Sequence, residues 1–466
     1  MRVVRGGGWI LAAAALSVAA LPASADTIET ALVQAYQNNP QINAQRALVR
    51  ATDENIPQAL SGYRPRISAT ATYGAQYIDS KTTTTTAGGQ NIVTNQQGWN
   101  DPRSVGATLS QTLFNGFQTG NRTRQAESQS SAARETLRVI EQTVLLDAAT
   151  AYMNVLRDSA TLDLQRRNVE VIQEQLRQTR DRFNVGEVTR TDVAQAESRV
   201  AAAQSQMLAA QSNLATSKAA YRRIIGVDPG RLSAGTPVDR LSPRTLALAI
   251  SQGQAENPSV TAAEYGVDVA ALQVKVNEGA LYPVVTVQAS AQQNYDSSVN
   301  SSRQFAGAVI GQVTVPIYQG GSEFSLIRQA KETVSQKRLE LAQNRDQARA
   351  NVVQSWAQLE AAKAQIEATK AQVAAAEIAL NGVREEARVG QRTTLDVLNA
   401  QQELVNARVA LVTAQRDRVV ASYTLLSAVG RLSIPVLGLQ VPLYDPMVHY
   451  QQVRDAWSGV RTPDGK

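Results

Sequence analysis

The chain has 466 residues, a formal charge of +6, no cysteine and a single histidine. That length exceeds one ordinary domain. The missing cysteines exclude disulfides and a lipid-carrying thiol, and one histidine excludes histidine-paired metal or catalytic chemistry.

Arg2 and Arg5 precede an apolar run, Trp9 to Leu21, and then Ala23-Ser24-Ala25. These are the n-region, h-region and A-x-A site of a secretory signal peptide, so residues 1–25 are expected to be removed. The run is too short for a retained span, and no later stretch is long and apolar enough for a transmembrane helix. Any membrane crossing is left to β-strands. Positive charges are scattered along helical stretches and aromatics make up only 5%, so no basic stripe for nucleic acid is built.

Two copies of one plan follow. Asn115-Gly116 aligns with Gln319-Gly320, Tyr152 with Trp356, Gly186 with Gly390 and Gly226 with Gly430, all at one constant offset. Upstream the offset is larger: Asn39-Pro40 aligns with Asn257-Pro258, and Tyr77 with Tyr295. Copy one therefore carries an insertion between Tyr77 and Phe114. It contains "TTTTTAGG", read as a polar low-complexity loop of the kind tolerated at exposed tips. The chain divides into a first repeat (26–226), an inter-repeat loop (227–244), a second repeat (245–430) and a Pro-rich tail (431–466).

Each repeat opens with a helix, 27–61 or 245–280, interrupted by Pro40 or Pro258. A β-hairpin comes next. In "RISATATYGAQY" (66–77), Ile67, Ala69, Ala71, Tyr73, Ala75 and Tyr77 alternate with Ser, Thr, Gly and Gln. Val285, Val287, Ala289 and Ala291 do the same in copy two, with return strands through Val105, Ala107, Leu109 and through Val309, Val313, Val315. Each strand is long enough to cross an outer membrane at a tilt. The polar side suits a water-filled lumen. A soluble sheet with one wet face stays open on the strands alone. Four strands cannot close a barrel, and open edges are not allowed in hydrocarbon. Two chains would give eight strands and a filled interior; three would give twelve and room for a lumen.

The helices after the hairpins are very long. Residues 121–183 contain neither Pro nor Gly, which predicts a helix of roughly 95 Å. Leu162, Val169, Leu176 and Phe183 are seven apart, as are Val193, Val200, Met207, Leu214 and Tyr221. In copy two, Val397, Leu404, Leu411 and Leu425 run beside Leu398, Val405, Val412, Val419 and Leu426. A strict seven-residue period means supercoiling against neighbours. Two adjacent apolar series suit the wall of a helical cylinder, and an ordinary antiparallel coiled coil remains the alternative for the lower half.

The tips repeat as "VGEVTRTDVAQAE" (185–197) and "VGQRTTLDVLNAQ" (389–401). Asp396 and Asn399 share a helix face, and a carboxylate ring in a narrow pore favours cations. Thr189-x-x-Asp192 and Thr393-x-x-Asp396 also match capping boxes, so the two Asp residues equally read as helix caps. Arg392 equally reads as a helical partner for Asp396.

Together these features resemble the TolC family of outer-membrane efflux proteins. The likeness covers essentially the whole mature chain and is most specific in "RFNVGEVTRTDVAQAESR" (182–199) and "VGQRTTLDVLNAQQELVNA" (389–407). It implies an α+β membrane protein: a homotrimer with a twelve-stranded barrel in outer-membrane lipid and an α-helical tunnel through the periplasm. The inter-repeat loop and tail would form a mid-height belt. The resemblance further implies a latch in which Arg392 reaches Thr191 and Asp192, and a constriction at Asp396. The family often has a Tyr where this chain has Ala387, and a second Asp can occur where it has Asn399. A weaker latch and one carboxylate ring follow. The tips at Val185, Gly186, Val389 and Gly390 would dock a periplasmic adaptor, which links an inner-membrane ABC or RND-type transporter.

No P-loop, zinc spacing or G-x-S-x-G occurs, so neither cofactor nor enzymatic role is expected. His449 reads as a surface residue of the tail, and Glu385-Glu386 beside Arg384 and Arg388 as a solvated helix. The function these readings favour is a passive exit duct, gated at the tips, for secreted proteins or small toxic molecules. The rivals are a trimeric coiled-coil adhesin or periplasmic spacer, and a simple diffusion porin.

Overall fold

The computed structural model describes residues 26–297, 302–463 and 465. The expected signal peptide, residues 1–25, lies outside them. Copy one runs α1 (Ile28–Asn38), α2 (Pro40–Asp53), α3 (Asn55–Leu60), β1 (Arg66–Tyr73), β2 (Gln76–Thr85), β3 (Asn91–Asn100), β4 (Arg103–Asn115), α4 (Gln118–Asn184) and α5 (Arg190–Ile225). Copy two runs α6 (Leu246–Glu256), α7 (Pro258–Gly279), β5 (Val284–Tyr295), β6 (Arg303–Thr314), α8 (Ser322–Arg388) and α9 (Thr394–Ala428). The tail adds α10 (Ile434–Leu437) and α11 (Pro446–Val453).

The breaks at Pro40 and Pro258 have one cause. In each, the preceding Asn is extended, its side chain caps the next helix, and Pro takes the first turn, where no amide donor is needed. Copy one's opening helix breaks a second time, at Glu54, which the sequence pattern did not mark. No helix among the described residues is long and apolar enough to cross a membrane.

Strands β1, β4, β5 and β6 form one antiparallel sheet in the order β1-β4-β5-β6. Its register carries the alternation across all four strands. Ile67 faces Leu109, which faces Ala289, which faces Val309; the adjacent row is Ser68, Thr108, Ser290 and Ala308. One face is thus apolar yet exposed, with Ile67, Tyr73, Val105, Phe305 and Val309 all in solvent in the isolated chain. The other is mainly Ser, Thr, Gln, Gly and Ala. Both outer strands, β1 and β6, have one unpaired edge.

The insertion in copy one is not a loop. The expected strand 66–77 ends at Tyr73, and the Thr-rich stretch forms β2, paired with β3 from Gln76↔Asn100 to Thr85↔Asn91. Threonine is β-branched and suits extended backbone, so a polar tract without hydrophobic alternation still makes a ribbon. The ribbon prolongs the sheet at the end away from the helices.

Sheet and helices join tightly in copy one. Gly116 has φ +65, and a Cβ there would lie 2.1 Å from the carbonyl oxygen of Gly279. Only glycine fits this crossing of α4's entry with α7's exit.

Helices α4 and α8 each span 67 residues, roughly 100 Å at the helical rise. The main core lies at mid-height, where α1, α2, the inter-repeat loop and the start of the tail cover α4, α5 and α9. Leu145, Tyr152, Ile225, Leu426 and Leu432 are fully enclosed there. The Tyr152 hydroxyl sits 2.8 Å from the Asp26 carbonyl and 2.7 Å from that of Ser233, so it ties α4 to the residue just before α1 and to the loop. His449 is no surface residue. It is buried on α11, with Nδ1 3.4 Å from the fully buried Asp53 carboxylate, which Arg134 also meets at 3.1 Å. The far part of the tail packs against the helices: α11 lies along α2 and α4.

Candidate gate at the hairpin tips

Each long hairpin turns through the same local structure. In the tip of copy one, here the outer tip, α4 ends as Gly186 N–H donates to the Phe183 carbonyl (3.0 Å) and Glu187 N–H to the Arg182 carbonyl (2.9 Å). In the tip of copy two, here the inner tip, Gly390 N–H donates to the Ala387 carbonyl (3.2 Å) and Gln391 N–H to the Glu386 carbonyl (2.9 Å). This is a Schellman cap, which needs a left-handed residue. Gly186 and Gly390 both have φ +80 and no neighbour within 4 Å of a built Cβ. Val185 and Val389 beside them are exposed at the extreme ends.

The return helices begin with full capping boxes. Thr189 N–H and hydroxyl donate to the Asp192 carboxylate at 2.8 and 2.7 Å, and Asp192 N–H donates back to the hydroxyl at 3.3 Å. Thr393 and Asp396 repeat this at 3.0, 2.9 and 3.2 Å. The Thr189 hydroxyl, then its amide, hold the Asp192 carboxyl below the usual range. For Asp396 the Thr393 amide is the leading cause, the hydroxyl follows, and the Arg392 charge adds a little. Both carboxylates are therefore ionised at neutral pH, and both cap helices.

Arg392 does not meet Thr191 or Asp192 within the chain. Its Nε donates to Glu386 Oε2 at 2.8 Å, across the inner turn. The physical reason is reach. Glu386 lies in the last turn of the preceding helix, across the turn from Arg392, whereas the Asp192 carboxylate is already engaged by Thr189. The outer tip carries the reversed pair, Arg182 Nε to Glu187 Oε2 at 3.0 Å. Asn399 does not stand free beside Asp396 either. It accepts a 2.6 Å hydrogen bond from Arg199 Nη2 on α5.

The two hairpins are tied together one to two turns above the tips. Leu398 of α9 is buried among Val169, Ile172, Ala196 and Ala203 of the outer hairpin. Arg199–Asn399 lies one residue further along α9. Within the inner hairpin, Arg384 donates to Gln401 at 3.0 Å and Arg408 to Glu377 at 2.7 Å. Sequence reading missed Glu386, Arg199 and Leu398 as tip residues. Opposite charges flanking each turn, Arg182/Glu187 and Glu386/Arg392, were the available signal for the first.

Comparison with known proteins bears on what these tips belong to. A family model described as outer membrane efflux protein matches residues 31–227 and 249–431. The chain belongs to the outer membrane efflux protein family. The chain is 41% identical to outer membrane efflux protein BepC of Brucella suis over 95% of its own length and 94% of that protein. It is 26% identical to outer membrane protein TolC of Vibrio cholerae over 91% and 95%. Among solved structures, that of VceC from Vibrio cholerae superposes with a TM-score of 0.72 at 20% identity, covering 86% of this chain and 96% of that one. The TolC-like fold is thereby established: strands that contribute to a β-barrel, continued by long helical hairpins. An outer membrane efflux protein is a channel, and the coiled-coil adhesin or spacer loses its ground.

Proposed function

We propose that three copies assemble into a passive exit duct through the outer membrane and periplasm, closed at the inner hairpin tips. The observation that carries this reading is the sheet. It has an exposed apolar face, a polar face and two open edges, and it runs directly into hairpins roughly 100 Å long. Open edges are not tolerated in hydrocarbon, so β1 of one copy must pair with β6 of the next. Three copies give twelve strands and a wet lumen. The surface of α8 supports the same assembly. Leu339, Val353 and Ile378 are exposed and fall at a/d spacing of one heptad series, a seam without a partner among the described residues.

At the lower end, the Asp396 carboxylates of three copies form one anionic ring. Arg199–Asn399 and buried Leu398 hold the inner hairpin against the outer one, and Glu386–Arg392 braces the inner turn itself. In the assembly Arg392 exchanges Glu386 for Thr191 and Asp192 when the latch sets. A periplasmic adaptor engages Val185, Gly186, Val389 and Gly390, the surface farthest from the membrane strands. An inner-membrane ABC or RND-type transporter supplies the energy. The name of the Brucella relative points to efflux cargo.

The test is single-channel conductance of the mature protein in a planar bilayer, wild type beside Arg392→Ala. A small wild-type current that rises several-fold in the variant is expected. An equal, large current in both leaves the duct and removes the latch. Failure of both to insert removes the barrel.

A further inference from the structure

We propose that the C-terminal tail ends in a membrane anchor, with Trp457 and Arg64 forming one contact site for phospholipid headgroups on the periplasmic face of the outer membrane. The proposal rests on the membrane reading of the sheet, and its site is the strand–helix junction.

The tail climbs toward that junction. Tyr444 N–H donates to the Tyr36 hydroxyl at 3.2 Å, below the middle of the α1–α2 layer. The α11 helix is pinned by His449 on Asp53 and by Tyr450, whose ring lies 5.0 Å from the Arg134 guanidinium. Arg454 then lies 3.9 Å from Glu127, two turns further up α4. Finally the Ala456 carbonyl accepts a 2.6 Å hydrogen bond from Arg64, and the Trp457 ring stacks 4.7 Å from the same guanidinium.

Arg64 fixes the height of this contact. Its neighbour Tyr63 accepts a 3.0 Å bond from Gln111 of β4 through its carbonyl, and the Tyr63 hydroxyl stands 2.9 Å from where a Cβ of Gly120 would be, in the first turn of α4. The apolar face of the sheet begins at Ile67, three residues on, which is at most about 10 Å of extended chain. Trp457 is nevertheless 72% exposed.

Four other exposed aromatics, Tyr63, Phe117, Tyr282 and Tyr318, fall in the segments that join strands to helices. Amphipathic rings gather where hydrocarbon meets headgroups, and outer-membrane barrels carry aromatic girdles there. Trp457 joins this junction from a different part of the chain. Its indole rests on a guanidinium whose one other hydrogen-bond partner among the described residues is the Ala456 carbonyl, which leaves donors for a phosphate oxygen. Chemistry of this kind, an indole beside an arginine, selects a phospholipid interface. A neighbouring copy would offer an apolar socket instead.

The test uses the fluorescence of Trp457. The chain has tryptophans at 9, 99, 356 and 457, and the first lies in the signal segment. The mature trimer carrying Trp99→Phe and Trp356→Phe is reconstituted in phosphatidylethanolamine–phosphatidylglycerol vesicles, with or without bromine on the upper acyl carbons. Flotation with the vesicles reports insertion separately. Loss of most of the emission in brominated vesicles is expected, with weak quenching by aqueous acrylamide. Strong acrylamide quenching alone would place the tail in water and overturn the proposal. Emission shielded from both quenchers would place Trp457 between subunits and overturn it equally. Vesicles that do not carry the protein on flotation would instead refute the barrel itself. Should the double variant fold poorly, the difference between wild type and Trp457→Phe gives the same readout.

Discussion

The two repeats share one plan and differ in how each is finished. Helices α4 and α8 are equal in length, and their tips carry the same Schellman cap and capping box. Yet Tyr152 is fully enclosed by α1, the inter-repeat loop and α5, whereas Trp356 at the same place in copy two stays half-buried beside a small cluster of Val352, Leu359 and Leu425. At the junction, Gly116 is locked against Gly279, while Gly320 has open space around it. Where copy one has Glu135 and Glu174, copy two has the exposed Leu339 and Ile378. A duplicated chain has only one beginning, one linker and one tail. These extras complete the first copy. The second copy is left with an exposed apolar seam, on which the proposed assembly would close.

The sharpest way to break this contrast is at the paired aromatics. Tyr152→Ala removes a fully buried ring and its ties to Asp26 and Ser233, and should cost about 3 kcal/mol or more. Trp356→Ala removes a larger ring from a looser site and should cost less. Thermal unfolding of both variants in detergent decides it. A Trp356→Ala loss equal to or above that of Tyr152→Ala would show that copy two is as finished as copy one.

A smaller effect on folding, with a larger one on assembly, is expected on the seam. Leu339→Ser with Ile378→Ser changes exposed side chains, so the protomer's own stability should shift by no more than about 0.5 kcal/mol per site. The trimer fraction on a native gel should fall. Glu135→Ser with Glu174→Ser, the same positions in copy one, should leave it unchanged. If both pairs behave alike, the seam is not a subunit contact.

Much of this was legible in the residues because long-range order here rests on simple periods. Heptads and the absence of Pro and Gly gave the great helices, and alternation gave the sheet and both its faces. The insertion misled because its threonines carry extended backbone without an apolar stripe. The tips were legible in their glycines and capping boxes, which are local. They were illegible in side-chain pairing: Arg199–Asn399 joins residues of two repeats that no period relates, and Arg392 has carboxylates within reach on both sides. His449 misled because its tail position concealed a buried Asp53 that only folding brings alongside.

The finest contrast lies between the two capping carboxylates. Both are held below the usual carboxylate range, so the stability each cap lends is present above the ordinary Asp value. It is lost as pH falls through the lowered folded value. Local hydrogen bonding treats the copies alike. The proposed trimer would not: three Asp396 groups would converge on its axis, where mutual repulsion would raise the protonation point, while Asp192 would stay on the outer hairpin. The reversal potential across a salt gradient reads this difference. Cation preference should fade on acidification at a pH above that at which the Asp192 cap is lost. It should be nearly absent at neutral pH in Asp396→Asn and retained in Asp192→Asn, since an amide still caps a helix but carries no charge to the pore. Equal loss in both variants would mean that the two carboxylates do nothing more than cap, and that whatever selects ions lies elsewhere in the duct.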